Sequence, residues 1–158
     1  MISWITRMAN NPEHITVILT NRRARHEYHV LERIEVGVVL RGTEVKSIRG
    51  GKISLQDAYA TVENNELFLF NMHISPFDKG NIHNHDPLRI RKLLARKKEI
   101  SKLAQKINEK GLTLIPLQVY FSGRHLKIEL GVCKGKKTYD KRQALKQRDI
   151  KREMERQF

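Results

Sequence analysis

Apolar and polar residues alternate along several stretches of this chain, and a period of two predicts β-strands. From position 28 to position 40 the even positions are apolar except Glu32, which predicts one long, half-buried strand. Residues 60–62 lead into an Asn-Asn turn at 64–65, and the even positions from 68 to 74 are apolar. These segments therefore predict a hairpin.

Two further segments complete the predicted set of strands. Apolar residues alternate over 117–121, the chain turns at Ser-Gly 122–123, and the even positions from 126 to 132 are apolar again. With a strand over 16–19, about six strands are expected. Because short strands outnumber helices, we expect a mainly β fold: an OB-like antiparallel β-barrel with flanking α-helices and a basic C-terminal tail.

Helical spacing is expected in two places. Residues 43–49 predict a short helix with Thr43 as its N-cap and a Gly-Gly stop at 50–51. A longer pattern covers 87–110 with Asp86 as the N-cap, and it fits one long helix or two broken ones. The predicted outer face of this segment is basic and consists of Arg89, Arg91, Lys92, Arg96, Lys97, Lys98, Lys102 and Lys106.

The 158 residues leave room for one domain and a tail. Residues 1–14 show no period and are expected to be a loosely ordered leader. Residues 15–133 form the predicted barrel with its helices. Residues 134–158 hold too few apolar side chains for a core, so we expect this basic tail to be disordered in the free protein.

Charge indicates the kind of partner. Lys and Arg number 31 against 17 Asp and Glu, a net charge of +14, of which the tail from Lys134 contributes +6. Nucleic acid is favoured over a membrane, because the apolar runs are far shorter than the roughly 20 residues of a membrane-spanning helix. The start of the chain lacks a secretory core and Cys133 is the one cysteine, so we expect a cytoplasmic location. No phosphate-loop or dinucleotide motif occurs, and no cofactor is expected.

Two kinds of catalytic or metal chemistry deserve comparison with simple binding. His26, Glu35 and His125 contain the groups of an acid and base pair for RNA cleavage, but nothing in their spacing forces them together. His73, His83 and His85 suggest a metal, yet a structural zinc site needs four ligands and the cysteine is remote in sequence. Neither metal binding nor catalysis is the favoured interpretation.

The segment NRRARHEY at 21–28 is the densest group of RNA-binding side chains. Guanidinium groups bind phosphates through paired hydrogen bonds and stack on bases, and Tyr and His add planar rings. This composition suits folded or unstacked RNA, although a solvated turn would also tolerate it. The candidate residues within it are Asn21, Arg22, Arg23, Arg25, His26 and Tyr28.

Four motifs together resemble the SsrA-binding protein family, also called small protein B. They are NRRARHEY (21–28), GTEVKSIRGGK (42–52), DPLRIRKLL (86–94) and GKKTYDKR (135–142), in this order. The resemblance implies an OB-like barrel that binds the tRNA-like domain of transfer-messenger RNA, without enzyme activity. It also implies delivery of that RNA to stalled ribosomes for trans-translation, with elongation factor Tu and the alanyl-charged RNA in the same complex.

The resemblance also assigns roles to residues. Those expected to face RNA in the body are Asn21, Arg22, Tyr28, Glu35, Leu94 and Lys127, continued by Lys134, Lys136 and Lys137. The tail is expected to become helical in the messenger channel near the decoding centre, and a thin apolar stripe at positions 150, 154 and 158 fits a helix. Its predicted ribosome contacts are Tyr139, Asp140, Lys141, Arg142, Lys146, Arg148, Ile150, Lys151, Arg152 and Met154.

Two other functions stay open at this point. One is a basic RNA-binding module without the rescue role, such as a ribosome assembly factor. The other is a small RNA-cleaving enzyme that uses His26 or Glu35. Preference for transfer-messenger RNA over bulk structured RNA would separate the first from a rescue factor, and turnover of RNA would identify the second.

Overall fold

The computed structural model describes residues 14–78, 84–135 and 152. Nine strands and three helices lie between residues 14 and 135. In chain order they are β1 (Ile15–Thr20), α1 (Arg22–Glu27), β2 (Tyr28–Val38), α2 (Gly42–Arg49), β3 (Ile53–Ser54), β4 (Tyr59–Glu63), β5 (Glu66–Phe70), β6 (His73–Ile74), β7 (Arg91–Leu94), α3 (Lys97–Lys110), β8 (Thr113–Ser122) and β9 (His125–Gly135). No helix in these ranges is long and apolar enough to cross a membrane.

Six antiparallel strands form a ring in the order β8-β4-β5-β7-β2-β9, and pairing of β9 with β8 closes it. Strand β1 pairs with residues 118–122 of β8, and β3 pairs with β6 in a separate two-stranded sheet. The ring is uneven, because β4 meets β8 through the single pair Ala60 and Leu114. The predicted fold class, a mainly β OB-like barrel with flanking helices, is confirmed.

The long alternating segment forms β2, as predicted. Its register against β9 shifts between Val30 and Glu32, which is the place where the alternation breaks in the sequence. A β-bulge leaves one extra residue on the bulged strand, and the intervening Leu31 is 56% exposed. Beyond the bulge, Val36 faces the core and is buried.

The predicted hairpin is present as β4 and β5, but its second strand is shorter than expected. Asn64 and Asn65 have φ of 50° and 61°, the backbone of a tight turn between strands. The buried residues of β5 are the odd positions Leu67 and Leu69, and the apolar even positions Phe68 and Phe70 are only partly buried. Asn71 (φ 63°) ends the strand, and after it the buried positions change from odd to even, with Met72 and Ile74 buried.

The expected helix over 87–110 was wrong in its first half. The chain makes a turn after Asp86, forms strand β7, and becomes helical only at Lys97. The reason is tertiary: β7 fills the gap between β5 and β2 in the ring. Its side chains alternate, with Arg91 and Leu93 buried and their neighbours exposed, so Arg91 does not belong to an outer basic face.

The short helix α2 was predicted with the wrong N-cap. The cap is Arg41, whose N–H donates to Glu44 Oε1 at 2.8 Å, while the Thr43 hydroxyl contacts His85 Nδ1 at 2.9 Å. The predicted stop is present, because Gly50 caps the helix and Gly51 has φ of 74°. Helices α2 and α3 contribute buried residues to the barrel core, among them Ile48, Ile100 and Leu103.

A buried ion pair joins α2 to β7. Glu44 and Arg91 are both fully buried, and Arg91 Nε donates to Glu44 Oε2 at 2.7 Å. Arg89 Nη2 donates to the other carboxylate oxygen at 2.6 Å, and Arg91 also donates to Met72 O. Burial disfavours the ionised carboxylate, but these donors outweigh it and hold the pKa of Glu44 below its usual value.

Candidate functional site

Strand pairing brings three predicted RNA-binding residues onto one outer surface of the ring. Gly37 of β2 lies opposite Leu94 of β7 on one side and opposite Lys127 of β9 on the other. Because successive residues of a strand face opposite ways and Val36 faces the core, Glu35 and Gly37 face outward. We call Glu35, Leu94 and Lys127 the strand patch.

Gly37 shapes the middle of the strand patch. A Cβ added to it would lie in van der Waals contact with the Leu94 Cβ at 3.4 Å, so glycine leaves the space beside Leu94 open. Leu94 is 51% exposed. The patch thus presents the apolar Leu94 side chain across Gly37 from the Lys127 amine, with the Glu35 carboxylate two residues along β2. This combination can contact a sugar or base while Lys127 contacts a phosphate.

Glu35 is held by a buried tyrosine on the same face of the sheet. The Tyr120 hydroxyl donates to Glu35 Oε2, and Tyr120 lies opposite Lys127 on β8. Tyr120 is fully buried. The hydrogen bond orients the Glu35 carboxylate and leaves its other oxygen as an acceptor.

A second carboxylate lies directly across from the first. Glu129 of β9 pairs with Glu35 in the sheet register, is 3% exposed, and has Arg33 Nη1 at 3.3 Å from its Oε1. Burial raises the pKa of Glu129, and the charges of Arg33 and Arg25 oppose this shift. Arg25 of α1 is therefore close enough to influence the strand face electrostatically.

A small cavity continues the outer face from Glu129 to α1. Its volume is about 150 Å³. Both arginines and the carboxylate border it, so mixed charge extends from the strand patch to the helix. The lining residues are Thr20, Asn21, Arg25, Val30, Arg33, Leu117, Gln118 and Glu129.

Asn21 holds α1 on the barrel. Its Oδ1 accepts from Ala24 N at 3.3 Å as an N-cap, and its Nδ2 donates to Pro116 O at 2.9 Å. Ala24 is buried against Ile115 and Leu117. Asn21, predicted to face RNA, therefore uses its side chain to position the arginines that follow it.

Residues 22–27 form a basic helix rather than a turn. Arg22, Arg25 and His26 are exposed, and Arg23 Nε donates to Glu27 Oε1 at 2.9 Å. Tyr28 is half-buried against the small cluster under α1, and burial raises the pKa of its hydroxyl. We call the exposed side of Arg22–Glu27 the helix patch.

The tail starts beside the helix patch. Tyr28 lies opposite Gly135 and His29 opposite the exposed Lys134 at the end of β9. Arg152 is helical and exposed. The other predicted residues of the tail and its junction lie outside the described residues: Lys136, Lys137, Tyr139, Asp140, Lys141, Arg142, Lys146, Arg148, Ile150, Lys151 and Met154.

The structure does not bring the candidate catalytic residues together. His26 precedes the end of β2 that pairs with Gly135, while His125 begins β9 ten residues earlier. At about 3.3 Å per residue the two ends of β9 are about 30 Å apart. His85 is committed elsewhere, since its Nε2 contacts Ile74 O at 2.9 Å, and the described residues contain no group of three or more potential metal ligands.

Arg33, Tyr120 and Glu129 were not among the predicted site residues. Their proximity to Glu35 depends on the pairing of β2, β8 and β9, whose registers contain bulges. The alternation of 28–40 does place Arg33 and Glu35 on the same polar face of the strand, and this pattern could have identified Arg33 as a neighbour of the site.

Together, a closed antiparallel ring and a charged outer face with an exposed leucine define an OB-like protein with a surface suited to nucleic acid. The family model described as SmpB protein matches residues 18–158. The chain belongs to this family.

Named relatives agree with the family match. An SsrA-binding protein of Desulfitobacterium hafniense is 56% identical over 146 residues, covering 92% of this chain and 94% of the relative. The SsrA-binding protein of Pelotomaculum thermopropionicum is 58% identical over 142 residues, covering 90% and 93%. A solved structure from a study of tmRNA-SmpB in the bacterial ribosome has a TM-score of 0.67 and 47% identity, covering 80% of this chain and 93% of that one.

Proposed function

We propose that this protein binds the tRNA-like domain of transfer-messenger RNA and delivers it to stalled ribosomes for trans-translation. The observation that carries the proposal is the strand patch, which unites Glu35, Leu94 and Lys127 on one surface of a chain that belongs to the SmpB family. The names of its relatives support binding to transfer-messenger RNA, and the matched structure, which comes from a study of the ribosome, supports action on the ribosome.

The body acts by binding and not by catalysis. Lys127 and the arginines of the helix patch attract phosphates, while the Glu35 carboxylate accepts from base or sugar donors. The RNA-facing residues of the proposal are Asn21, Arg22, Arg23, Arg25, His26, Tyr28, Glu35, Leu94, Lys127, Lys134, Lys136 and Lys137, with Asn21 acting through the position of α1. The protein works in the cytoplasm, and elongation factor Tu with the alanyl-charged RNA joins the complex.

The division into a leader at 1–14, a barrel at 15–133 and a tail at 134–158 belongs to the same proposal. The tail orders as a helix against ribosomal RNA through residues from Tyr139 to Met154. A variant truncated after Gly135 keeps most binding to transfer-messenger RNA and loses tagging of stalled nascent chains. Equal loss of both activities would instead make the tail part of the primary RNA site.

The direct test is retention of transfer-messenger RNA from a bacterial lysate by the immobilised protein, followed by affinity measurements at several salt concentrations. Log K is expected to fall linearly with log salt, with a slope of about −0.7 to −0.9 per phosphate contact. Lys127→Ala should reduce both affinity and slope, whereas Lys110→Ala, which removes an exposed lysine at the end of α3, serves as the matched control.

Two results would contradict the proposal. The first is equal retention of bulk structured RNA and transfer-messenger RNA, which favours a general RNA-binding module. The second is an affinity that stays constant from low to high salt. Glu35→Gln tests the acceptor role, because binding as tight as that of the parent would remove Glu35 from the site.

A further inference from the structure

A cavity of about 220 Å³ lies between α1 and the start of β4. It shares no residue with the strand patch, and α1 forms one wall while the segment 55–59 forms the other. Both walls carry polar groups, and Tyr28 and Tyr59 add planar rings. The lining residues that matter for binding are Arg23, Glu27, Tyr28, Gln56, Asp57 and Tyr59.

Tyr59 is a supported, accessible ring at this cavity. Its ring stacks on Phe70 with centroids 5.3 Å apart and an interplanar angle of 9°. Tyr59 lines the cavity and Phe70 does not. Tyr59 is 39% exposed. A rigid, half-exposed aromatic ring of this kind is a platform on which a nucleobase stacks.

Asp57 supplies an acceptor beside that ring. Its φ is 60°, and its carbonyl accepts from Asn71 Nδ2 at 3.3 Å, where Asn71 itself has φ of 63°. Two left-handed residues joined by a hydrogen bond hold this corner in place. Within the described residues the Asp57 carboxylate accepts no hydrogen bond, although it lies near the charge of Arg23.

The helix wall provides the phosphate contacts that a nucleotide needs. Arg23 is the arginine of α1 that lines the cavity, and it pairs with Glu27 in an exposed ion pair at 2.9 Å, while Arg22 and Arg25 are exposed on α1 outside the lining. Exposed ion pairs contribute little stability, so Arg23 can exchange Glu27 for a phosphate at small cost. The Asp57 carboxylate repels the phosphates of RNA and would by itself weaken binding. It favours binding only if it accepts a hydrogen bond from a donor of the ligand.

We propose that this cavity receives one unstacked nucleobase of the bound RNA, stacked on Tyr59 and read by the Asp57 carboxylate. The base expected is guanine, because N1–H and the N2 amino group give its Watson–Crick edge two adjacent donors, which match the two oxygens of a carboxylate. The inference rests on the proposed function, since the RNA must first be held by the strand and helix patches.

The test compares Tyr59→Ala, Tyr59→Phe and Asp57→Asn in binding to transfer-messenger RNA at fixed salt. Loss of one base stack should lower affinity about 5- to 150-fold in Tyr59→Ala, while Tyr59→Phe keeps the ring and binds within about 2-fold of the parent. Asp57→Asn is the decisive variant, because simple electrostatics predicts tighter binding after removal of a negative charge, and base reading predicts weaker binding.

Glu63→Gln is the matched control for charge, since Glu63 is an exposed acid at the other end of β4. It should bind as well as or slightly better than the parent. A chemical probe gives an independent readout: a reagent that attacks N1 and N2 of unpaired guanine should leave one guanine protected in the parent complex and modified in the Asp57→Asn complex.

The outcomes separate this inference from the proposed function. If the parent retains transfer-messenger RNA but Asp57→Asn binds as tightly or more tightly, the guanine-reading cavity is wrong and the proposed function stands. If the parent itself fails to prefer that RNA, the proposed function fails first. Thermal unfolding of each variant checks folding, and Asp57→Asn decides the matter should Tyr59→Ala unfold, because Asn tolerates the left-handed backbone.

Discussion

Removing the negative charge of Glu44 is expected to destabilise the protein strongly, because the change leaves Arg91 buried without an anionic partner. Glu44→Gln keeps the shape of the side chain, but the neighbours of Arg91 are then neutral. They include Met72 O, and Pro87 O at 3.3 Å from Arg91 Nη2. Both members of the pair are fully buried, so water does not compensate.

Breaking a buried pair by removing one partner costs about 3–5 kcal/mol. That is a large share of the roughly 5–15 kcal/mol by which a typical domain is stable. For a protein of this size each kcal/mol shifts the midpoint Tm by about 2–4 °C, so the loss corresponds to roughly 6–20 °C. The assay is thermal unfolding followed by far-ultraviolet circular dichroism, with a denaturant titration for the free energy.

The same strand offers a matched control. Lys92, next to Arg91 on β7, pairs with Glu66 at 3.2 Å, and both side chains are about half exposed. Glu66→Gln makes the same chemical change and should cost about 0–1 kcal/mol. Equal losses of unfolding free energy in Glu44→Gln and Glu66→Gln would refute the reasoning, because burial would then not affect how much an ion pair stabilises the protein.

Two other predictions concern stability. Gly131→Ala should cost about 1–3 kcal/mol by overpacking, since its Cβ would lie 2.7 Å from Leu117 Cδ1, and denaturant unfolding should show a lower midpoint. Burial raises the pKa of the Glu129 carboxyl above the ordinary 4.5, so the folded state holds this proton more tightly than the unfolded state does. The free energy of unfolding should therefore fall as pH rises from 4.5 through the folded pKa. In Glu129→Gln this dependence of stability on pH should be weaker.

Strict alternation predicted most of the ring, and β7 shows where that signal ends. The strand has only four residues, and Asp86 and Pro87 before it are typical of a helix start. Asp86 does make a capping contact, with its Oδ1 accepting from Leu88 N at 2.9 Å. Residues 91–94 nevertheless form a strand, because they pair with β5 on one side and β2 on the other. No local sequence pattern indicates that these two strands leave room for a third.

The candidate site was predictable only in part for a related reason. Glu35, Leu94 and Lys127 came from a resemblance, and their union on one face depends on Gly37 having strand partners on both sides. Arg91 looked like an exposed base because nothing in the sequence marks Glu44 as its partner. Buried charges and cross-strand neighbours are tertiary facts, so sequence pattern predicts the strands more readily than the surface they create.

Strand β9 also explains why binding to RNA and action on the ribosome are expected to be separable. Lys127 lies near its beginning, beside the strand patch, and Gly135 at its end lies opposite Tyr28. At about 3.3 Å per residue the tail therefore leaves the barrel about 25 Å from Lys127, next to the helix patch. An RNA held along this face would cover both patches, while the tail begins at the end of the face that lies away from the strand patch.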